Sequence, residues 1–304
     1  MGTCIEAVAT AHGHHRLRRG ALHLTDIAAK ACLQRAHHRA DQLDLLINAG
    51  LYKNGNAAEP ALASIIQEDI GANVGTHVIA GHHGTFSFDI LNGGCGMLTA
   101  ALLVDGFVGH GSARHGMIVA GDVDPSPRTS HRFPFAPAAG AVLIGHTDNS
   151  YGFEKIELRT FSEHASLFEI RLEWEPEAGL LHRGRNVIEV AEDPRFATLC
   201  TELASHTATM FLESLGLHAD AIDLLIASQY PRSFALGVAQ GIGIPAARVP
   251  IVARELAATH TAGPIAALEA AFVSGQFGRA RRTLFVTVGA GITVGVALFV
   301  HPVS

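Results

Sequence analysis

Residues 40–47 read Ala-Asp-Gln-Leu-Asp-Leu-Leu-Ile, and residues 219–226 read Ala-Asp-Ala-Ile-Asp-Leu-Leu-Ile. The two stretches are identical at six of eight positions and lie 179 residues apart. Each stretch comes after a segment with an amphipathic helical pattern, at 24–37 in the first case and at 195–215 in the second. Each ends in an apolar run that is typical of a short buried strand. An internal repeat of this kind predicts that the chain contains two similar α/β units.

Further matching segments extend the repeat. In residues 107–121, and again in 272–289, the end of an apolar helix is followed by a basic loop and a buried strand. The helices predicted at 96–108 and 262–273 carry only Asp105 and Glu269 as charged residues, and a helix that is apolar nearly all round is buried.

The pattern therefore predicts a layered α/β fold with a central helical layer between two sheets. The chain divides into two halves, residues 1–148 and 149–304, of which the first carries the candidate nucleophile described below. The segment 151–190 is predicted to be more exposed because it holds several glutamates, among them Glu169, Glu173, Glu175 and Glu177.

Composition argues against several classes of function. The chain has 304 residues, 48% of them hydrophobic, and a net charge of −6, so we expect no nucleic-acid partner; the basic cluster at 16–19 is too small to change this. Four widely spaced cysteines favour reduced thiols and a cytoplasmic location, and we expect no secretory signal. The 17 uncharged residues from Leu284 to Val300 predict two strands joined at a glycine turn rather than a membrane helix.

The chain contains 19 histidines, which raises the question of a metal site. They include three local clusters, formed by His12, His14 and His15, by His37 and His38, and by His82 and His83. None of these has the paired spacing of a zinc motif, and none has an acidic or cysteine partner nearby in the sequence. We therefore expect no metal site.

Cys95 lies in the stretch Phe-Asp-Ile-Leu-Asn-Gly-Gly-Cys-Gly-Met at 88–97, where a strand pattern gives way to a helix pattern. A cysteine at the first turn of a helix lies near the positive end of the helix dipole, which lowers the thiol pKa and favours the nucleophilic thiolate. A buried structural cysteine is the alternative interpretation. The local sequence leaves both open.

The repeat links Cys95 to a histidine. An alignment of the two buried helices on Phe107 and Phe272 pairs Cys95 with His260, since each lies 12 residues before its phenylalanine. If the halves pack face to face, a thiol and an imidazole meet, as nucleophilic acyl chemistry requires. The turn at 289–293 offers backbone N–H groups for a developing oxyanion, although an ordinary hairpin turn has the same sequence signature.

Taken together, these features resemble the thiolase superfamily, and within it the β-ketoacyl-acyl-carrier-protein synthase III family. The family's nucleophile motif, Phe-Asp followed by Ala-x-Cys-x-Gly, is similar to 88–97, with Gly94 where Ala is usual. The stretches at 60–71, 136–141 and 289–295 resemble, in turn, an early helix, the Gly-Asp-Gly-Ala-Gly-Ala strand entry and the closing Gly-x-Gly-x-Thr-x-Gly.

The resemblance implies a five-layer αβαβα fold built from two pseudo-twofold-related halves, and a homodimer. It also implies an acyl-thioester on Cys95, with coenzyme A or acyl carrier protein as the acyl carrier and no further cofactor. The oxyanion would be bound by the backbone N–H groups of Cys95 and Gly291.

The chain departs from the family at its catalytic partners. Ser228 stands where the family has a histidine followed by Gln-Ala-Asn, and the helix start at 257–261 has no asparagine. His260 resembles instead the Gly-His-Pro histidine of true thiolases, and Arg232 lies near the family's arginine that contacts the carrier phosphate. We therefore predict Cys95, His260 and Ser228 as catalytic residues and Gln229 and Arg232 as substrate- or carrier-binding residues.

Two hypotheses of function follow. The first is an acyltransferase that forms an acyl-thioester on Cys95 and passes the acyl group to a carbon or heteroatom acceptor. The alternative is a non-catalytic subunit that partners an active homologue, which the loss of the usual His–Asn pair favours. A nucleotide-binding protein fits poorly, because the glycines near 237–243 lie within a helix pattern and do not follow a strand.

Overall fold

The structure is a computed structural model that describes residues 2–13, 20–53, 57–75, 84–125, 133–148, 151–176 and 184–302. Some predictions lie outside the described residues: those for the histidines at 14, 15, 82 and 83, for the basic cluster at 16–19 and for Glu177. The side chain of Glu175 also lies outside the description.

The first sheet contains five strands. They are β1 (Gly2–His12), β2 (Leu45–Asn48), β3 (Phe86–Asp89), β4 (His115–Asp122) and β5 (Ala138–Thr147). Their spatial order is β1-β5-β4-β2-β3, with β2 parallel to β3 and β4, and β5 antiparallel to β4 and β1. The strand β3 therefore forms one edge of this sheet.

The second sheet repeats this arrangement with four strands. They are β6 (Gly152–Thr160), β9 (Leu224–Ala227), β10 (Arg282–Gly289) and β11 (Thr293–Val300), in the order β6-β11-β10-β9. A separate antiparallel hairpin of β7 (Phe168–Pro176) and β8 (Gly184–Glu192) lies between β6 and the next helix in the chain. The predicted pair of strands at 284–300 is confirmed, and no helix of the described residues has the length and hydropathy to span a membrane.

Seven α-helices occur in the described residues. They are α1 (Ala21–Ala36), α2 (Leu62–Ile70), α3 (Gly96–Gly109), α4 (Phe196–Ser214), α5 (Phe234–Ile242), α6 (Gly263–Val273) and α7 (Gln276–Arg279). Helices α1 and α2 cover the outer face of the first sheet, and α4 and α5 cover the outer face of the second. Helices α3 and α6 lie between the sheets, so the five predicted layers are confirmed.

The central layer is buried because α3 and α6 have almost no polar side chains. Their few charges are paired: Thr3 donates a 2.6 Å hydrogen bond to Asp105, and Arg35 makes a 2.5 Å ion pair with Glu269. Thr10 also donates to Glu269. These partners leave neither part-buried carboxylate unpaired near the core, which would be strongly destabilising.

Candidate active site

A cavity of about 660 Å³ opens where the loops before α3 and α6 meet. Its floor includes Asn92, Gly93, His260 and Ala290. The hairpin of β7 and β8 supplies an apolar wall of Phe168, Ile170, Leu172 and Ile188. The site is therefore built by both halves of the chain and by an inserted hairpin, and it is apolar except at its floor and on the side of Lys53 and Arg171.

Three contacts hold His260 at the cavity floor. Its Nδ1 lies 2.9 Å from the Tyr52 hydroxyl, and its ring stacks on Phe135 with the centroids 4.7 Å apart. Its backbone N–H donates to the Asp122 carboxylate at 2.7 Å, and the N–H groups of Thr261 and Ala262 donate to the same carboxylate. A side chain at Gly93 would start 3.7 Å from Nε2, so this nitrogen faces Gly93.

The electrostatics of His260 follow from its burial. Burial lowers the pKa of the imidazole below its usual value, and the nearby charge of Asp122 opposes the shift without reversing it. The ring is therefore mainly neutral at pH 7. A neutral imidazole that faces a cavity can accept a proton or donate a hydrogen bond, according to which nitrogen carries the proton.

Cys95 occupies the N-cap position of α3 but lies beneath the cavity floor. Its side chain is fully buried, and it is not among the residues that line the cavity. The Sγ–H donates to the Thr293 carbonyl at 3.2 Å, and the Thr287 hydroxyl lies 3.5 Å from Sγ.

Burial raises the pKa of the Cys95 thiol to about 12, although the hydrogen bond from Thr287 acts to lower it. The prediction of a lowered thiol pKa is therefore wrong for this conformation, because desolvation of the thiolate outweighs the helix terminus. The role of Cys95 as nucleophile stays a prediction.

Ser228 lies next to the glycines before Cys95. Its hydroxyl oxygen accepts a 3.0 Å hydrogen bond from the Val288 N–H, and its side chain is almost fully buried. A side chain on Gly94 would begin 3.4 Å from that hydroxyl and would overlap the Val288 carbonyl. Gly94 is therefore required for the loop to pack against β10, and Ser228 occupies the space behind it.

The alignment that paired Cys95 with His260 is out by two residues. The N-caps of the central helices are Cys95 and Ala262, which are 167 residues apart, and the starts of β4 and β10 are also 167 apart. With this offset His260 corresponds to Gly93, which is the residue it faces. The error arises because α3 has 14 residues and α6 has 11, so their ends are not equivalent.

The oxyanion hole of the Cys95 and Gly291 N–H groups stays a prediction. The backbone N–H of Cys95 donates to the Asn92 carbonyl at 3.0 Å, so it is already used within the turn before α3. Gly291 has a φ of 117°, a conformation that favours glycine, and it lies in the turn between β10 and β11. That turn packs against residues 92–94. The contact is so close that a side chain on Gly289 would touch the Asn92 carbonyl.

The predicted substrate-binding residues follow β9. Gln229 is half-buried and donates to the Ala227 carbonyl at 3.0 Å, and a side chain on Gly263 at the start of α6 would crowd its backbone nitrogen. Arg232 is exposed. Neither residue lines the cavity, so their substrate and carrier roles stay predictions.

Sequence reasoning missed Tyr52, Asp122 and Phe135, which hold His260 in place. One signal was available for two of them. Tyr52 follows the parallel strand β2, and Asp122 ends the neighbouring β4, so both lie at the same edge of the first sheet. Ligand sites in open α/β sheets form at the carboxyl ends of parallel strands.

Comparisons with known proteins agree with this architecture. A family model described as 3-oxoacyl-[acyl-carrier-protein (ACP)] synthase III C terminal matches residues 212–301. The β-ketoacyl-[acyl-carrier-protein] synthase III of Aquifex aeolicus is 25% identical over 276 residues, covering 89% of this chain and 81% of the relative. The enzyme of the same name from Shewanella oneidensis is 26% identical over 277 residues, covering 90% and 82%.

Solved structures share the whole fold. The 3-oxoacyl-[acyl-carrier-protein] synthase III from Aquifex aeolicus superimposes with a TM-score of 0.79 at 18% identity, covering 99% of this chain and 100% of that one. A variant of OleA from Xanthomonas campestris, solved with lauric acid and lauroyl-CoA, has a TM-score of 0.80 at 17% identity, with 99% of each chain covered. The predicted thiolase-type fold and the resemblance to the synthase III family are confirmed.

Proposed function

We propose that this protein is a condensing acyltransferase of the 3-oxoacyl-ACP synthase III type, which takes its acyl group from a thioester of coenzyme A or acyl carrier protein. The observation that carries the proposal is the cavity in which His260 and the glycine turn before α3 form the floor beneath apolar walls. The names of the sequence relatives support the same class of reaction. They do not favour the accessory-subunit alternative.

The cavity suits an acyl thioester. Its apolar wall residues Phe168, Ile170 and Ile188 can bury a hydrocarbon chain, and its floor carries a neutral imidazole that can activate or stabilise the reacting carbonyl. The reaction needs no metal or organic cofactor, because acyl transfer between thiols uses only side-chain and substrate groups.

The predicted covalent step involves Cys95. Its sulfur would form a bond to the acyl carbon while the bond from that carbon to the carrier sulfur breaks, and the thiol proton would pass to the leaving thiolate. A carbon or heteroatom acceptor would then take the acyl group from Cys95. For this step the sulfur must leave the Thr293 carbonyl and reach the cavity, whose floor includes the neighbouring Gly93.

Intact mass spectrometry after incubation with a panel of acyl-CoA thioesters tests the proposal. We expect an acyl adduct on the wild-type protein that is absent from Cys95→Ala. Cys200→Ala is the matched control, since Cys200 is also a free buried cysteine, and it should keep the adduct. Release of labelled carbon dioxide from a malonyl carrier separates condensation from plain transfer.

Two other outcomes are informative. Transfer without an adduct would contradict the predicted role of Cys95 and would assign the chemistry to His260 and the substrate alone. Absence of both an adduct and transfer to any acceptor would contradict the acyltransferase proposal itself. Homodimer formation and a cytoplasmic location, which the resemblance and the free cysteines suggested, belong to the same proposal.

A further inference from the structure

Three side chains that are distant in the sequence meet at one end of the first sheet, away from the cavity. Glu6 lies on β1, His38 follows α1, and His115 begins β4. We propose that Glu6, His38 and His115 bind a divalent transition-metal ion, with Zn²⁺ as the best match to two imidazoles and a carboxylate. This inference does not depend on the proposed acyltransferase activity, because none of the three residues lines the cavity.

The distances suit a small ion. His38 Nε2 lies 3.1 Å from one Glu6 oxygen, and His115 Nε2 lies 3.7 Å from the other. One ligand atom from each residue lies within 4.8 Å of the other two. Ligands that are each about 2.0–2.1 Å from a tetrahedral Zn²⁺ are separated by roughly 3.3–3.5 Å. Small side-chain movements are therefore sufficient to close the site.

Two features of the backbone direct the Glu6 side chain towards the two histidines. The register between β1 and β5 shifts between Ile5 and Ala7, so Glu6 lies in a β-bulge, a feature that redirects a side chain. Gly145 on β5 leaves room for it, because a side chain at that position would overlap the Glu6 carboxylate. On the other side, the Asp44 carboxylate accepts hydrogen bonds from the backbone N–H groups of Arg114 and His115, which fixes the start of β4.

An ion pair between Glu6 and the two histidines explains this arrangement less well than a shared metal ion does. One Glu6 oxygen, Oε2, is buried and has no hydrogen-bond partner within the described ranges, although His38 Nε2 is only 3.1 Å away. His38 Nε2 and that oxygen therefore lie close together without a well-aligned hydrogen bond. Buried polar atoms are normally satisfied, and a shared metal ion would satisfy the carboxylate and both ring nitrogens at once. Three protein ligands leave a fourth position for water, which the partly exposed side chains can admit.

The test uses metal binding and not enzyme activity. The full chain is treated with a chelator and then titrated with Co²⁺, whose absorption bands report tetrahedral coordination, and with Zn²⁺ by calorimetry. Glu6→Gln and His115→Gln each remove one ligand with little change in shape. The matched control is His146→Gln on β5, because His146 pairs with Asp148 at 2.9 Å and belongs to no group of three ligands among the described residues.

We expect one equivalent of Co²⁺ with tetrahedral bands in the wild type and in His146→Gln. The affinity should fall about tenfold or more in Glu6→Gln and His115→Gln. Circular dichroism checks that both variants are folded, and Zn²⁺ should raise the melting temperature of the wild type but not of these variants. If His115→Gln retains the same stoichiometry and affinity, or if the wild type binds no metal, the proposal is overturned.

Discussion

His260 is the residue whose surroundings define the site. The Asp122 carboxylate holds its backbone, Tyr52 contacts its Nδ1, and Phe135 covers one face of the ring. Each of these partners comes from the first half of the chain, whereas His260 belongs to the second. The imidazole is therefore positioned by contacts between the halves, and its orientation depends on groups that do not themselves react.

Tyr52→Phe tests this positioning. The change removes one hydroxyl and frees Nδ1, so we expect the rate of acyl transfer to fall about 10- to 100-fold through loss of orientation. The KM for the acyl thioester should change little, because the cavity wall is retained. Tyr151→Phe is the control, since Tyr151 does not line the cavity. Steady-state kinetics on the two variants give the comparison, and equal rates would contradict the assigned role of Tyr52.

His301 supports a prediction about pH. Burial lowers the pKa of His301 to about 4, whereas an unfolded histidine titrates near pH 6.5. Between these values the unfolded chain binds more protons, so this contribution to stability is fully present above about pH 6.5 and is lost as the pH falls towards 4.

His301→Gln removes this proton uptake and keeps an amide that can contact Thr283. We expect its free energy of unfolding to fall less steeply than that of the wild type over this window, by at most about 1.4 kcal/mol per pH unit. Urea unfolding at several pH values measures both slopes. Parallel slopes for the two proteins would show that His301 does not titrate as assigned.

At the scale of elements, the close packing of the start of α3 against β10 depends on Gly94. The Val288 carbonyl of β10 occupies the space that a side chain on Gly94 would need. We expect Gly94→Ala to lower the free energy of unfolding by about 1–3 kcal/mol, because the loop must move away from the strand.

Gly106→Ala is the matched control for Gly94→Ala. Gly106 lies in the same helix, and a side chain there would meet nothing within 4 Å. This change should raise the free energy of unfolding by roughly 0.5–1 kcal/mol, through the higher helix propensity of alanine. Urea denaturation of the two variants measures the contrast. The packing argument fails if Gly94→Ala is as stable as Gly106→Ala.

The elements near the site could be predicted because their patterns are local. The burial of α3 and α6 follows from their uniform apolarity, and the pair β10 and β11 follows from two uncharged runs around a glycine turn. The position of the Cys95 sulfur could not be predicted in this way. Whether a side chain at a helix start faces a cavity or the sheet behind it depends on contacts such as that with Thr293, which is 198 residues away.

For the whole molecule, the repeat was enough to predict two sheets around a helical layer. It could not predict the hairpin of β7 and β8, because that hairpin has no counterpart among the described residues of the first half. It also could not predict the cluster of Glu6, His38 and His115. Those residues are separated by at least 32 positions in the sequence, and only the packing of α1 and β4 around the bulge in β1 brings them together.

The open edge of the first sheet supports the predicted homodimer. Within the described residues, strand β3 pairs only with β2, and Phe86 on it is 57% exposed. The N–H groups of Phe86 and Ile90 donate towards the β2 side, to Asp44 and Asn48. The N–H of Ser87 therefore points outward, where it is available to a second copy of β3. An unprotected edge with exposed apolar side chains favours strand pairing between chains.

Ser87→Pro tests this interface. Proline removes the outward N–H without removing a hydrogen bond to β2, so we expect the variant to be a folded monomer at a concentration where the wild type is a dimer. Ser87→Thr keeps the N–H and should remain dimeric. Sedimentation velocity measures the state of all three proteins, and thermal unfolding checks that Ser87→Pro is folded. A wild-type monomer, or a dimer of Ser87→Pro with undiminished affinity, would contradict dimerisation through β3.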